Sequence, residues 1–492
     1  MPNDQPAAVS AYTADQAACA AALLRTLTSR LHGLPAGQAA ALARLLHAPG
    51  GLTTDMRSLL EAVRQSAPAD KDPVLTDPRP LRQPTGRPVV LVVAPNDELY
   101  RGYCLTSVAA AYDTVVITPT PLTWEHPHVI DHEQADPYDL DSLITAGQAL
   151  AARRPVAGVL TWNETLLVNT SRLARHLGLP GDRPGVMRAC RDKATSRALF
   201  DRHQVPSATS VKAATLAEAV AAAQDIGYPV VVKPAGQAGS VGVIRVDTPQ
   251  QLPDAFAFAT TGAQLHGGES TVVLVEEYLD GEEISVECVT HQGVTTPVAI
   301  TRKQLGFAPY FEETGHSVDA ADPLLPYVGP IAQAAVAALG VTSGIQHVEM
   351  RLTASGPRIV EVNARIGGDL IGKLVLLATG IDLPRAAGDL ALGRRPDLTP
   401  TRYQAAAIAL LYPETSGTVT ARGIDPALAG ADWLHQTSWI LEPGDRVTLP
   451  PEGDVDVARV GLVVVTAADA DQARERLDTV TRNITITVAP AA

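Results

Sequence analysis

Polar and apolar residues alternate at period two in two neighbouring runs, His347-Val348-Glu349-Met350-Arg351-Leu352 and Ile359-Val360-Glu361-Val362-Asn363-Ala364-Arg365. This is the pattern of half-buried strands. Glu361, Asn363 and Arg365 are therefore expected on one face, with Val360, Val362 and Ala364 on the other. Turn residues at Thr353-Ala354-Ser355-Gly356-Pro357 predict a hairpin centred near Ser355. In that register Glu349 lies directly opposite Glu361. Carboxylates facing each other at roughly 5 Å repel, so the arrangement asks for a divalent cation.

The same reading lays out the rest of the chain. Alanine- and leucine-rich helical runs at 14–32, 37–47 and 53–65 lead into an aperiodic Pro- and Asp-rich linker at 67–88. Val89-Val90-Leu91-Val92-Val93 opens an alternation of apolar strands (115–118, 157–160) and helices (140–152, 164–177), which predicts a parallel α/β domain. Past a boundary near Gly181-Asp182-Arg183-Pro184 come a helix at 191–203, strands around a helix at 214–226, the hairpin, and a helix near 368–379. From about 402 strands mix with a helix at 468–482, read as a separate α+β unit. The expected domains are a helical extension and linker (1–85), an α/β domain (86–185), a central domain (186–400, with a lid at about 205–275) and a C-terminal α+β domain (401–492).

Composition narrows the partners. A formal charge of −14 gives no general attraction to nucleic acid or anionic lipid. The four cysteines are scattered, no basic signal region or long apolar run occurs, and the expectation is a cytoplasmic protein. Histidines at zinc-ligand spacing are missing from the sequence.

A second constellation begins at Val230-Val231-Val232-Lys233-Pro234, followed by the small residues Gly236, Gly239, Ser240 and Gly242. Backbone N–H groups in such a loop can approach an anion, beside a hydroxyl and a mobile lysine. It is neither a Walker loop nor GxGxxG after a parallel strand, and alone it reads more readily as a plain flexible hairpin. Thr271-Val272-Val273-Leu274-Val275 then runs into Glu276-Glu277-Tyr278-Leu279 and Glu283. That strand edge offers backbone groups to a base and carboxylates to a ribose, or is simply an acidic loop.

In order and spacing, Arg191-Asp192-Lys193, Val232-Lys233-Pro234 with Gly239-Ser240-Val241-Gly242, Glu276-Glu277-Tyr278-Leu279 with Glu283, and Glu349…Glu361-x-Asn363-x-Arg365 resemble the ATP-grasp superfamily. The likeness is to its carboxylate–amine ligases, including bacterial L-amino acid (dipeptide) ligases, and covers about 88–490. It implies an ATP-grasp fold with an N-terminal parallel α/β domain, a lid subdomain and a C-terminal α+β domain. It further implies that Lys193 and Lys233 contact ATP phosphates under a lid loop carrying Gly239, Ser240 and Gly242. Glu276 would take the adenine amino group, Glu277 and Leu279 would present backbone to the ring, and Glu283 would hold the ribose. Glu349, Glu361 and Asn363 match magnesium ligands, for two Mg2+ ions or for Mn2+.

Arg365 shares the acidic strand face, and its fork suits a carboxylate and the acyl phosphate made from it. Glu312-Glu313-Thr314-Gly315-His316 resembles the dipeptide-ligase stretch in which Glu313 would recognise an amino group and His316 would lie near the reacting carboxylate. Gly367 and Gly368, read as opening a helix, offer backbone N–H groups to an anion or only relieve crowding. His347 is read as packing beneath the hairpin. The implied enzyme forms an amide between an amino acid and an amine, with small-molecule substrates, no nucleic acid or membrane partner, and a homodimer left open. The rival readings are a biotin-carboxylase-like or purine-pathway ligase and a non-catalytic ATP-binding scaffold.

Overall fold

The first β-branched run becomes β1 (Val89–Val93), every residue of which is buried. It pairs in parallel with β2 (Asp113–Thr118) and β4 (Val156–Leu160), and β3 (Val129–Gln134) lies beyond β2. The strand order is β3-β2-β1-β4. Helices α1 (Glu98–Ala111), α2 (Leu140–Arg153) and α3 (Leu167–His176) provide the crossovers and the cover a parallel sheet needs. In this computed structural model the described residues are 80–237, 239–264, 272–453 and 455–490; the expected extension at 1–79 lies outside them. The end of the expected linker is anchored, since Arg82 Nη2 and Thr85 N donate to the Asp113 carboxylate at 3.0 and 2.9 Å.

Where one helix is expected at 191–203, two occur, α4 (Pro184–Arg191) and α5 (Lys193–Arg202). Asp192 breaks them with extended backbone, and its carboxylate caps the second by accepting from Thr195 N at 2.6 Å. A small antiparallel sheet follows, in the order β5 (Ser210–Ala213), β8 (Val273–Glu277), β6 (Val230–Pro234), β7 (Ile244–Val246). Helices α6 (Leu216–Ile226) and α7 (Leu252–Gln264) pack against it. Gly242 (φ +72°) sits so close to α7 that a Cβ there would meet Pro234 Cγ at 2.9 Å and Gly262 Cα at 3.1 Å.

The large sheet has eight strands: β13 (Gly356–Asn363), β12 (Gly344–Thr353), β9 (Glu282–His291), β10 (Val294–Gly306), β11 (Glu312–Asp319), β14 (Ala405–Leu411), β18 (Gly461–Ala467) and β16 (Leu434–Trp439). The last three come from the segment expected as a separate unit, and Thr76–Ala492 makes one compact unit by contacts. The reason is burial: β14 is covered along its whole length, so it joins the sheet interior rather than forming an edge. α8 (Leu325–Ala338), α9 (Ile371–Thr379), α10 (Leu383–Ala391) and α11 (Ala470–Arg482) pack around it. A three-stranded sheet of β17 (Arg446–Val447), β15 (Gly417–Ile424) and β19 (Ile484–Pro490) completes the C-terminal part. Among the described residues no helix is long and apolar enough to cross a membrane.

Candidate functional site

A cleft opens between the small antiparallel sheet and the eight-stranded sheet. One corner is built from α5, β6 and β8. Arg197 meets Glu276 through two bonds (Nε–Oε1 2.9 Å, Nη2–Oε2 3.0 Å), and Lys233 Nζ reaches Glu276 Oε2 at 2.6 Å. All three are buried. Burial pushes the Glu276 pKa up, but Arg197 and Lys233 overcome it and bring it to about 2. Burial, with Arg197 and Lys193 nearby, lowers the Lys233 pKa against the pull of Glu276. Both Glu276 oxygens are thus engaged by cations, a pairing the motifs did not show.

Lys193 Nζ donates to Gln237 O at 2.6 Å and Glu361 Oε1 at 2.8 Å, while Arg191 Nη2 donates to Gly236 O at 3.3 Å. The α4/α5 break therefore presents both cations to the start of the glycine loop. Gly239, Ser240 and Gly242 in that loop all take positive φ. The Ser240 hydroxyl donates to Phe311 O at 2.8 Å. Glu277 is held by Arg358 Nη1 at 2.5 Å and Thr209 N at 3.2 Å, and Leu279 and Glu283 line the cleft.

The hairpin forms with Glu349 opposite Glu361, by a route the alternation does not show. Its turn is tighter than expected, pairing Thr353 with Gly356 and Met350 with Ile359, and a bulge at Val360 restores the Glu349–Glu361 pairing. Val360, expected on the apolar face, consequently lines the cleft beside Glu361, Asn363 and Arg365. Its carbonyl accepts from Arg197 at 2.7 Å. The Asn363 amide reaches Glu349 Oε1 at 3.5 Å, and turned by 180° it donates to Glu361 at 3.2 Å and Glu164 at 3.3 Å.

His347 does more than pack: Nδ1 lies 2.9 Å from Glu287 and Nε2 3.1 Å from Glu349. Against burial, which lowers it, these carboxylates raise its pKa to about 9. Lys303, on β10, places one buried Nζ within reach of Glu313 (2.5 Å), Glu283 (3.2 Å) and Glu349 (3.3 Å). Burial works against its charge, but those three carboxylates hold its pKa well above the usual value.

Glu313 and His316 would point to opposite faces of a regular strand. A bulge between the Leu305–Glu313 and Gln304–Gly315 pairs brings them together, with Nε2 of His316 3.3 Å from Glu313. His316 is fully buried, however, and 3.4 Å from Asp369, whose carboxylate takes Arg459 through bonds of 2.7 and 3.0 Å. Gly367 and Gly368 do not begin a helix: α9 starts at Ile371, after Asp369 and Leu370 in the left-handed region. The Gly367 carbonyl accepts from Arg101 Nη1 at 3.0 Å.

The ATP-grasp domain family matches residues 226–373. That stretch carries the cleft residues Lys233, Glu276, Lys303, Glu349 and Glu361. Carnosine synthase 1 of Homo sapiens is 30% identical over 267 residues, 50% of this chain but only 32% of that protein. Phosphoribosylamine–glycine ligase of Streptomyces coelicolor is 28% identical over 376 residues, 70% of this chain and 85% of that protein. The crystal structure of an L-amino acid ligase from Bacillus licheniformis matches in fold with a TM-score of 0.69 at 21% identity, over 82% of this chain and 100% of that one. These relatives are ligases, and the stretch that matches the ATP-grasp domain family spans the cleft.

Around the ATP-grasp cleft stand residues that the motifs did not reveal. Arg197 carries a signal in retrospect, one helical turn after Lys193 on the same face of α5. Lys303 sits in a polar stretch, Thr301-Arg302-Lys303-Gln304, where nothing marks one residue above its neighbours. Glu164, Asp369 and Arg459 reach the site from three separate segments and carry no local signal.

Proposed function

We propose that this ATP-grasp enzyme joins the carboxylate of one amino acid to the amine of a second through an acyl phosphate. The observation that supports this best is the placement of Glu349 and Glu313 around Lys303, with Glu361 held by Lys193, in one cleft. It puts a polyphosphate-metal region beside a carboxylate able to receive an ammonium group.

In this reading Lys193 and Lys233 bind ATP phosphates, with the loop of Gly239, Ser240 and Gly242 closing over them. Glu277 and Leu279 offer backbone to the adenine, and Glu283 takes ribose hydroxyls. Glu276 fixes Arg197 and Lys233, and its Oε1, bonded to Arg197 Nε, has a second lone pair for the adenine amino group. Glu349, Glu361 and Asn363 fit Mg2+: they are oxygen donors, and the cations Lys193, Lys303 and His347 now balance the two carboxylates. Magnesium held there, as one ion or two, or Mn2+ in its place, would neutralise charge on the β- and γ-phosphates.

Arg365 holds the substrate carboxylate, whose oxygen attacks the γ-phosphorus as the bond to ADP breaks. Arg365 and the backbone of Gly367 and Gly368 then steady the acyl phosphate. The amine of the second substrate, having lost its extra proton, attacks the carbonyl carbon; phosphate leaves and the nitrogen's remaining surplus proton is released. Glu313 binds the α-ammonium of the first amino acid, and His316, behind it, keeps Glu313 and Asp369 in place. The closed loop excludes water from the intermediate.

Purified protein incubated with ATP, Mg2+ and pairs of amino acids should release ADP only when a suitable acid is present, and should yield an amide detectable by mass spectrometry. Turnover that needs bicarbonate but no amino acid would move the assignment to a carboxylase-like ligase. ATP binding without hydrolysis in any mixture would leave a scaffold.

A further inference from the structure

Glu164 lies outside every motif, yet it is buried at the junction of two parts of the fold. It begins a short 3-10 turn at the carboxyl end of β4. Because β2 and β3 lie on the other side of β1, the gap between β1 and β4 is the switch point of the parallel sheet, where ligands bind in such sheets. The turn is held rigidly: Trp162 Nε1 donates to Pro95 O at 2.8 Å, and the Asn163 amide donates to Asn96 at 3.2 Å. Across it, Ala94 and Asn96 take positive φ without being glycine, a strained backbone of the kind that surrounding structure must enforce.

The Glu164 carboxylate is 7% exposed and faces two arginines. Oε2 lies 2.7 Å from Arg365 Nε, and Oε1 lies 3.6 Å from Arg191 Nη1. Arg365 Nη1 donates to Ile366 O at 2.9 Å, while among the described residues nothing takes its Nη2. Two of the three guanidinium nitrogens are therefore committed, which fixes the plane of the fork and leaves one amino group for a ligand. Through Arg191 the same carboxylate is linked to Gly236, at the base of the glycine loop.

We infer that Glu164 is a positioning residue that orients Arg365 toward the carboxylate being activated, so that the parallel-sheet domain sets the geometry of the reacting group. The inference rests on the ligase reading. A carboxylate so placed cannot be replaced by its amide without loss, since an amide pairs with the guanidinium far more weakly.

The test compares wild type, Glu164→Gln, Glu164→Asp, Arg365→Lys and the double variant E164Q/R365K. E164Q should lower kcat/KM for the acid substrate on the order of 10²-fold, with a much smaller change in ATP affinity and a lowered melting temperature, since two arginines lose their buried partner. Glu164→Asp should recover part of the loss, and the double variant should be no worse than Arg365→Lys alone. Wild-type kcat/KM in E164Q, full additivity, or a loss of ATP affinity as large as the loss in kcat/KM would each overturn the inference. If wild type turns over no acid at all, the ligase reading fails by itself. Crystal structures of wild type and E164Q then still decide, because an unmoved Arg365 side chain would refute the positioning role.

Discussion

The two halves of the cleft solve opposite electrostatic problems. In the corner under the glycine loop one carboxylate, Glu276, serves two cations, Arg197 and Lys233. Across the cleft one cation, Lys303, bridges three carboxylates, Glu283, Glu313 and Glu349, which Arg351, His316 and His347 also approach. The first corner carries spare positive charge and suits an incoming polyanion. The second gathers carboxylates whose present cations a metal ion and an ammonium group can replace. Buried charges survive only when paired, and here each corner is paired just well enough to fold while its ligand can still improve the balance.

The sharpest way to break the contrast is to remove the shared lysine. Lys303→Met leaves three half-buried carboxylates without the cation they share and should destabilise the protein by at most about 3–5 kcal/mol, read as a shift in the denaturant midpoint. Added Mg2+ should restore part of this, because a cation at Glu349 relieves the repulsion. Next comes Glu361→Gln, which should cut ADP release on the order of 10²–10³-fold while leaving the thermal melt close to wild type.

The Glu276 corner answers to pH. Its carboxyl titrates at about 2 in the folded protein, below the usual carboxylate range, so the unfolded chain takes up its proton first as the solution is acidified. Stability from this group is complete above about pH 4.3 and is lost as pH falls toward 2. Shifts of this size correspond to about 3 kcal/mol at most, and Glu276→Gln should remove that part of the acid slope in midpoint-versus-pH curves. The smallest effect belongs to the loop's rim, where the Arg245 guanidinium stacks 4.2 Å from the centre of the Tyr278 ring. Arg245→Ala should cost only about 0.5–1 kcal/mol, and a larger drop in melting temperature would mean that the rim carries more of the small sheet's stability than the contact implies.

By itself the sequence determined what is local. The period-two runs specified β12 and β13, the β-branched run specified β1, and the short interval between Glu349 and Glu361 was enough to expect their apposition. Side-chain direction follows from backbone period, so facing residues in one hairpin can be read without knowing the rest of the fold. Tertiary structure decided who neutralises whom. Lys193 finds Glu361 across 168 positions and Arg101 finds Gly367 across 266, distances over which no periodicity carries information. It also decided the bulges at Val360 and between Glu313 and Gly315. A one-residue slip reverses the face of every later side chain, so these bulges turn Val360 into the cleft and set His316 behind Glu313, where alternation alone would have placed each on the opposite side.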